Sequence, residues 1–554
     1  MLEKITFKFG SGPTQPPLEI ETPPSVTVFV GPNNSGKSQA LRELGMVFNN
    51  QGETQTQILG PVTFKSFSDQ EAEEELQKLL VSPDIGESVH PGQVIIKSAN
   101  RRQHIYPNFF KASLVDPNTH NSRSNFVNYY ASSSILSLDG PSRIQLTYSQ
   151  QRGDLKAPQS AFANLLLDNE KRETIRKLVY DATGLYFVLD ASVGDQLNVR
   201  FGRTPPPNER SLEDETLTYM KEALGVDRVS DGVKAFTGIL IQLHAGRPKV
   251  ITVDEPEAFL HPNLAFTLGK ELAKGAVEEG KHIFVSTHSA QFLMGAISSG
   301  AEVNIVRLTY QNGTGTARLL PSKDLKVLMQ DPLLRSVGVL EGLFFDAVLV
   351  GEANADRAFY QEINERLLTE GDTRGSPRTL FLNADNKQTI PRIIAPLRRL
   401  GIPAAGVVDI DVLKDGGTEW TKHLRAIGLP EGEHAAFASR RLAVLEKLRA
   451  QHSDFKTRGG VELLVGSDRE MADNLLRDLE RYGLFAVPIG EVEAWLRDLD
   501  IERSKQRWLR DIFERMGSDP AAPSYIRPAG GDVWDFMGRI SSWAHNGQRR
   551  GIPD

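Results

Sequence analysis

The chain has 554 residues, too many for one hydrophobic core, and a chain of this length divides into about three to four domains. Its composition, 40% hydrophobic and 24% charged, is that of an ordinary globular protein, and the lack of cysteine excludes disulfides and thiolate metal sites and fits a reducing, cytoplasmic setting. The formal net charge of −7 restricts nucleic-acid binding to local basic patches. The sequence has no apolar run of about 18 residues, so no membrane span is predicted, and the N-terminus, Met1-Leu-Glu-Lys-Ile-Thr-Phe, lacks the apolar core of a secretion signal.

In chain order, residues 2–9 and 26–30 read as strands, the second being the β-rich run Val26-Thr-Val-Phe-Val30. Residues 37–48 read as a helix with Leu41, Leu44 and Phe48 on one face. Over 49–245, strand-like runs (93–97 and 125–136) mix with helical ones (69–80, 161–181 and 212–224), as in a core interrupted by insertions. Residues 249–253 and 281–286 read as strands around a helix at 261–279. The strands at 303–310 and 316–320 flank Asn312-Gly313, a hairpin signal. From about 345 the pattern alternates again: strands at 347–350, 378–382 and 404–408, helices at 355–368 and 389–400. Such alternation predicts a parallel sheet covered by helices. The boundary between the two blocks falls between about 325 and 345, and the tail from 500 is first helical and then rich in Gly, Pro and Arg.

Four elements in the first block carry chemistry. Gly31-Pro-Asn33-Asn34-Ser35-Gly36-Lys37-Ser38 matches G-x-x-x-x-G-K-[ST], with a strand before it and a helix after it. The glycines let backbone N–H groups face a phosphate, Lys37 reaches the β/γ-phosphates of ATP, and Ser38 is placed to hold Mg²⁺. Val250-Ile-Thr-Val-Asp254-Glu255 is an apolar strand ending in two carboxylates: Asp254 suits Mg²⁺ ligation and Glu255 is placed to polarise the attacking water. His288 follows the next strand, where it can sense the γ-phosphate. Ser230-Asp-Gly232-Val-Lys234 opens a helical run and is a second anion-suited helix start, or a plain N-cap.

A second constellation lies downstream. Glu352 ends the strand 347–350 and Asp356 begins the following helix. Asp409 and Asp411 end a further apolar strand, where positions two apart share a face. Strand ends gather at one edge of a parallel sheet, so these four carboxylates can line one acidic pocket suited to Mg²⁺ or Mn²⁺. One or two such ions beside a phosphodiester support hydrolysis. Any one of these acids is also an ordinary helix cap. Arg440-Arg441, Lys447–Arg449 and Arg549-Arg550 read as solvated basic faces or DNA-backbone contacts.

The order of the first four elements resembles an ATP-binding-cassette ATPase of the SMC/RecF kind: Gly31–Ser38 as Walker A, Ile251–Glu255 as Walker B, Ser230–Lys234 as the signature and His288 as the switch histidine. Asp254-Glu-Pro-Glu-Ala-Phe-Leu-His-Pro262 is similar to the Asp-Glu-Pro-Glu-x-x-Leu-His-Pro stretch of that group. The signature departs from Leu-Ser-Gly-Gly, reading Val229-Ser-Asp-Gly232. Glu352, Asp409-x-Asp411 and the late Glu491/Glu493 resemble a Toprim domain, although Gly351 precedes the glutamate where the family's glycine follows it. Together the two halves resemble the OLD family (overcoming lysogenization defect). The resemblance implies an α/β chain with an ABC-type ATPase over 1–335 (insertion and dimerisation helices at about 150–225), a Toprim nuclease domain over 340–500, and a helical extension over 501–554. It implies an ATP-controlled, metal-dependent DNA endonuclease or nickase in anti-phage defence, acting on phage or plasmid DNA as a homodimer or higher oligomer. A partner subunit or phage trigger is plausible. A family lysine near the scissile phosphate maps to Lys505. Alternatives are a RecF/SMC-like DNA-repair ATPase, or an ATP-driven sensor or scaffold whose Toprim domain is non-catalytic or cuts RNA.

Overall fold

A computed structural model describes all residues except 13, 50–55, 99–100, 157, 312, 321, 337, 504–506 and 553–554. The chain divides into two compact units, Met1–Val30 with Asn34–Ser322, and Gly31–Asn33 with Lys323–Asp554. Among the described residues no helix is long and apolar enough to cross a membrane.

The first unit is built on six strands: β1 (Val26–Val30), β2 (Ile135–Leu138), β3 (Val250–Asp254), β4 (His282–Ser286), β5 (Val303–Gln311) and β6 (Thr314–Leu320). Their order is β6-β5-β1-β4-β3-β2, parallel throughout except for the β5–β6 hairpin. β1 is buried at all five positions, as its unbroken Val/Phe run requires of a central parallel strand. α1 (Lys37–Phe48) buries Leu41, Leu44 and Phe48 as the periodicity predicts. α2 (Gly140–Gln145), α3 (Asp231–Ala245), α4 (Pro262–Glu278) and α5 (Ala290–Ser298) complete the part of this unit that frames the site. The hairpin signal at 312–313 falls partly outside the described residues, but β5 and β6 pair antiparallel as expected, with Gly313 at φ 81°.

Two readings are corrected here. The expected strand at 125–136 is strand only from Ile135: helix runs through His120–Phe126, a π-helical turn through Val127–Ala131 and a short helix through Ser132–Ser134, and then β2 begins. Phe126, Val127, Tyr130 and Ala131 are buried at helical spacing, a tertiary preference that the β-forming residue types conceal. The insertion at about 150–225 is not purely helical either. Helices Ala161–Leu167, Asn169–Thr183 and Asp214–Glu222 accompany an antiparallel sheet containing Tyr186–Asp190 and Gln196–Gly202. Leu197, Val199 and Phe201 are buried at alternate positions, the period-2 pattern of a half-covered strand.

The second unit carries β7 (Ala347–Gly351), α6 (Asn354–Thr369), β8 (Thr379–Asn383), α7 (Ile390–Arg399), β9 (Ala404–Val408) and β10 (Leu484–Ala486). The sheet order is β8-β7-β9-β10, all parallel. The tail adds Trp508–Met516 and a second helix, Asp532–His545, which the Gly/Pro-rich composition hides. Trp508, Trp534, Phe536 and Met537 pack into one core with Leu349, Tyr360, Val407 and Phe485.

Candidate functional site

In the first unit, the C-terminal ends of β1, β3 and β4 meet in adjacent strands, so their following loops share one edge. The loop after β1 uses three residues with positive φ: Gly31 (143°), Asn34 (61°) and Gly36 (94°). A Cβ on Gly36 would lie 2.5 Å from Ile58 Cδ1, so both conformation and space demand glycine. Gly36 caps α1 without a side chain, which leaves the first helical N–H groups for an anion. Lys37 is buried; burial pushes its ammonium down to about 8 while Glu255, Asp254 and Glu257 oppose the shift. Ser38 Oγ donates to Asp254 Oδ1 at 2.9 Å, and Ser286 Oγ donates to the same oxygen. The loop and the β3 carboxylate are thus joined directly.

Asp254 and Ser286 are register partners, and the Glu255 N–H donates to Ser286 O at 2.9 Å. Glu255 adopts φ 50°, and its Oε1 lies 3.8 Å from His288 Nε2. Burial and the Lys37 cation lower the His288 imidazole from its ordinary value, with Glu255 and Asp254 opposing the shift. Its main-chain N–H donates at 2.7 Å to Glu257, whose carboxyl burial pushes upward. Ser230 caps α3, accepting from Val233 N–H at 3.4 Å, and Gly232 packs so closely that a Cβ there would lie 2.6 Å from Phe259 O. Sequence reasoning left Glu257 without a role and missed Arg143, whose buried guanidinium donates to the main-chain oxygen of Glu255. Nothing in the local sequence around Arg143 marks it, because its partner is more than a hundred residues away in the chain.

In the second unit, Glu352, Asp409 and Asp411 each offer a carboxylate oxygen within 4.8 Å of the others. Asp409 and Asp411 are not the last alternating positions of a strand: β9 ends at Val408, and Asp411 lies in the 3₁₀ turn Ile410–Lys414. That turn, rather than the pleat, carries both carboxylates to Glu352. Glu352 Oε1 accepts from the Asp409 N–H at 2.8 Å. Burial and the Asp409 carboxylate push Glu352 up to about 8, and burial with Asp409 pushes Asp356 up to about 7. Asp356 accepts from the Ala353 N–H at 2.9 Å, so it caps α6 beside the cluster. The displaced glycine has a local use: a Cβ on Gly351 would lie 3.0 Å from Asp356 Cβ, so glycine lets the start of α6 close onto β7.

Glu491 is buried and Glu493 half-buried in the loop after β10. Glu493 repels Asp356 and Asp409 electrostatically. Lys505 lies outside the described residues. A different lysine enters the cluster: Lys456 Nζ is 2.6 Å from Asp409 Oδ2, 3.9 Å from Asp411 Oδ2 and 4.0 Å from Glu491 Oε2. Burial alone would lower this ammonium, but the Asp409 charge and hydrogen bond hold it above its ordinary value. Lys387 Nζ lies 2.8 Å from Asp411 Oδ1 and 3.7 Å from Asp415. Glycines make the approach possible: at Gly490 (φ 118°) a Cβ would lie 1.9 Å from Lys456 O, and at Gly460 2.3 Å from Pro488 O. The pair Gly459-Gly460 shortly after Lys456 is a turn signal in the sequence that could have marked this segment. The basic stretches are partly engaged within the fold: Arg440 pairs with Asp478 at 2.7 Å and Lys447 with Asp468 at 3.2 Å.

Residues 224–294, which span Ser230, Asp254, Glu255 and His288, match the family model "AAA domain, putative AbiEii toxin, Type IV TA system". That stretch of the first unit is therefore similar to an AAA-type ATPase domain. Among solved structures the chain is similar to an Smc head bound to the C-winged helix domain of ScpA (13% identity, 59% of this chain and 99% of the other, TM-score 0.35). It is also similar to the SMC head domain from Thermotoga maritima (13% identity, 58% and 99%, TM-score 0.29). A stretch of 73 residues is 34% identical to the small ribosomal subunit protein uS15 of Porphyromonas gingivalis, covering 82% of that protein and 13% of this chain. That likeness is confined to one segment and assigns no family to the chain.

Proposed function

We propose that the chain is an ATP-hydrolysing, divalent-metal-dependent DNA endonuclease or nickase of the OLD type, an anti-phage effector in which ATP controls cleavage. The observation that carries it is the convergence of Glu352, Asp409 and Asp411 in the second unit of a chain whose first unit joins Ser38 to Asp254. In the ATP site, Lys37 neutralises the phosphates, Ser38 and Asp254 hold Mg²⁺, and Glu255 polarises the attacking water with His288 beside it.

The acidic cluster fits a hard divalent ion: three oxygen donors converge, and mutual repulsion with burial raises Glu352 and Asp409. Bound there, Mg²⁺ or Mn²⁺ supplies charge stabilisation at a phosphodiester. Glu352, near neutrality in its protonation, holds or moves a proton at Oε, and the Asp409 N–H fixes its other function by orienting that carboxyl. We assign to Lys456 the phosphate-facing role that sequence reasoning gave to Lys505. Two protomers complete each ATP site, Ser230 and Gly232 of one facing nucleotide on the other.

A second reading is favoured by the ion pairs themselves. Lys456 and Lys387 neutralise the carboxylates as a purely structural cluster would, which suits a RecF/SMC-like ATPase or scaffold. Incubation of supercoiled plasmid with Mg²⁺ or Mn²⁺, with and without ATP, separates the two. Cleavage is expected from wild type and lost in Glu352→Ala, while phosphate release is lost in Lys37→Ala. Equal cleavage by wild type and Glu352→Ala would sink the nuclease reading and leave the ATPase one standing.

A further inference from the structure

We infer that Arg143 is a positioning residue for Glu255 and that it transmits the placement of α3 to the hydrolytic end of the ATP site; this rests on the ATPase reading above. Arg143 lies on α2, directly after β2, the strand that pairs with β3. Its side chain is 2% exposed. Nη1 donates to the main-chain oxygen of Glu255, and Nε donates to Asp139 O at 3.1 Å. Burial of the guanidinium is opposed by the carboxylates of Glu257, Asp254 and Glu255, so the cation sits within the field of the whole acidic end of β3.

Glu255 needs such a clamp. At φ 50° Glu255 is in the left-handed region, which is disfavoured for a residue with a Cβ. Its peptide groups are held on both sides, the N–H by Ser286 O and the carbonyl by Arg143 together with the Ala258 N–H at 2.9 Å. Without Arg143 the carbonyl keeps only the Ala258 N–H as donor, three carboxylates lose a nearby cation, and the backbone is less firmly held in the conformation that places Oε1 3.8 Å from His288.

The same arginine is packed against α3. A Cβ on Gly238 would lie 2.6 Å from Leu146 Cβ and 3.2 Å from Arg143 O; a Cβ on Gly232 would lie 2.6 Å from Phe259 O. Two glycines of one helix therefore rest on the two ends of one device, the α2 segment that carries Arg143 and the loop that follows Glu255. A displacement of the Ser230 end of α3 moves both. Close packing transmits such shifts because neither contact has slack.

The test uses the full chain and reads steady-state ATP hydrolysis, ATP affinity by calorimetry and thermal unfolding, in wild type, Arg143→Gln, Arg143→Lys and Gly238→Ala. Arg143→Gln is expected to lower kcat on the order of 100-fold, the loss that a small misplacement of a reacting group produces, with ATP affinity near that of wild type. Arg143→Lys recovers part of the rate. Gly238→Ala, which touches no nucleotide, lowers kcat in the same direction. Full kcat in Arg143→Gln overturns the role. So does a joint loss of kcat, ATP affinity and unfolding temperature with no recovery by lysine, since that marks a merely structural arginine. A wild-type chain that releases no phosphate overturns the ATPase reading and this role together, whereas wild-type hydrolysis with an unaffected Arg143→Gln overturns the role alone.

Discussion

Glu352 and Asp356 make the acidic cluster sensitive to pH in a direction that follows from their environments. Both carboxyls are raised in the folded chain, to about 8 and about 7, from ordinary values near 4.5 and 3.8. The folded state then binds more protons than the unfolded one between those limits, so their contribution to stability is present below the unfolded values and is lost as pH rises toward 8. In a metal-free solution, the unfolding temperature of the full chain is expected to fall between pH 5.5 and 8. Glu352→Gln flattens that slope, because its amide has no proton to lose. Mg²⁺ or Mn²⁺ raises the unfolding temperature more at pH 8 than at pH 5.5, since binding displaces the protons that burial retains. A metal effect of equal size at both pH values would remove these carboxyls from the binding site. Lys456 sharpens the same experiment. Its ammonium, 2.6 Å from Asp409, occupies the electrostatic position that an added cation seeks, so Lys456→Met strengthens metal binding while weakening the metal-free fold.

At the scale of elements, helix packing fixes the distance between the two carboxylates of β3 and the histidine after β4. α4 and α5 follow those strands and meet through glycine: a Cβ on Gly269 would lie 2.2 Å from Phe292 O, and one on Gly295 2.0 Å from Phe266 O. Neither obstacle is a flexible side-chain tip, so the helices must separate. Gly295→Ala is expected to cost about 1–3 kcal/mol of stability, the usual penalty for overpacking, read as a lowered denaturation midpoint, and to slow ATP hydrolysis by shifting His288 from Glu255. A variant with an unchanged midpoint would show that this helix pair has room. Neither glycine was marked by the sequence pattern. What was legible there was local: the Val26–Val30 strand, the Gly31–Ser38 loop and α1 follow from β-branched runs, glycine spacing and a 3.6-residue period within a short window. The pairing of Ser38 with Asp254 was readable because both belong to a motif of known chemistry. Arg143, Lys387 and Lys456 were not, since each acts on residues brought near only by the strand order. Asp409 and Asp411 converge with Glu352 through a 3₁₀ turn and not the expected strand end, as the two look alike over three residues.

For the whole molecule, the decisive question is whether one chain holds a complete ATP site. The packing of Ser230 and Gly232 answers only part of it: Ser230 caps its own helix and Gly232 lies on Phe259, so this helix start is already formed within one chain. In the two-fold assembly proposed above, each site would take Lys37 from one protomer and Ser230 from the other. Lys37→Ala then disables the site on its own loop, and Ser230→Arg disables the site on its partner. Each homodimer has two dead sites. In a mixed dimer both lesions fall on the same site and the other is intact. Random pairing of equal amounts makes half of the dimers mixed, each with one working site of two, so the mixture is expected to recover about a quarter of the wild-type rate. Phosphate release from the mixture, measured after subunit exchange, reads this directly. A rate no greater than the average of the two variants alone excludes sharing between protomers, and places the Ser230 end of α3 outside the hydrolytic site.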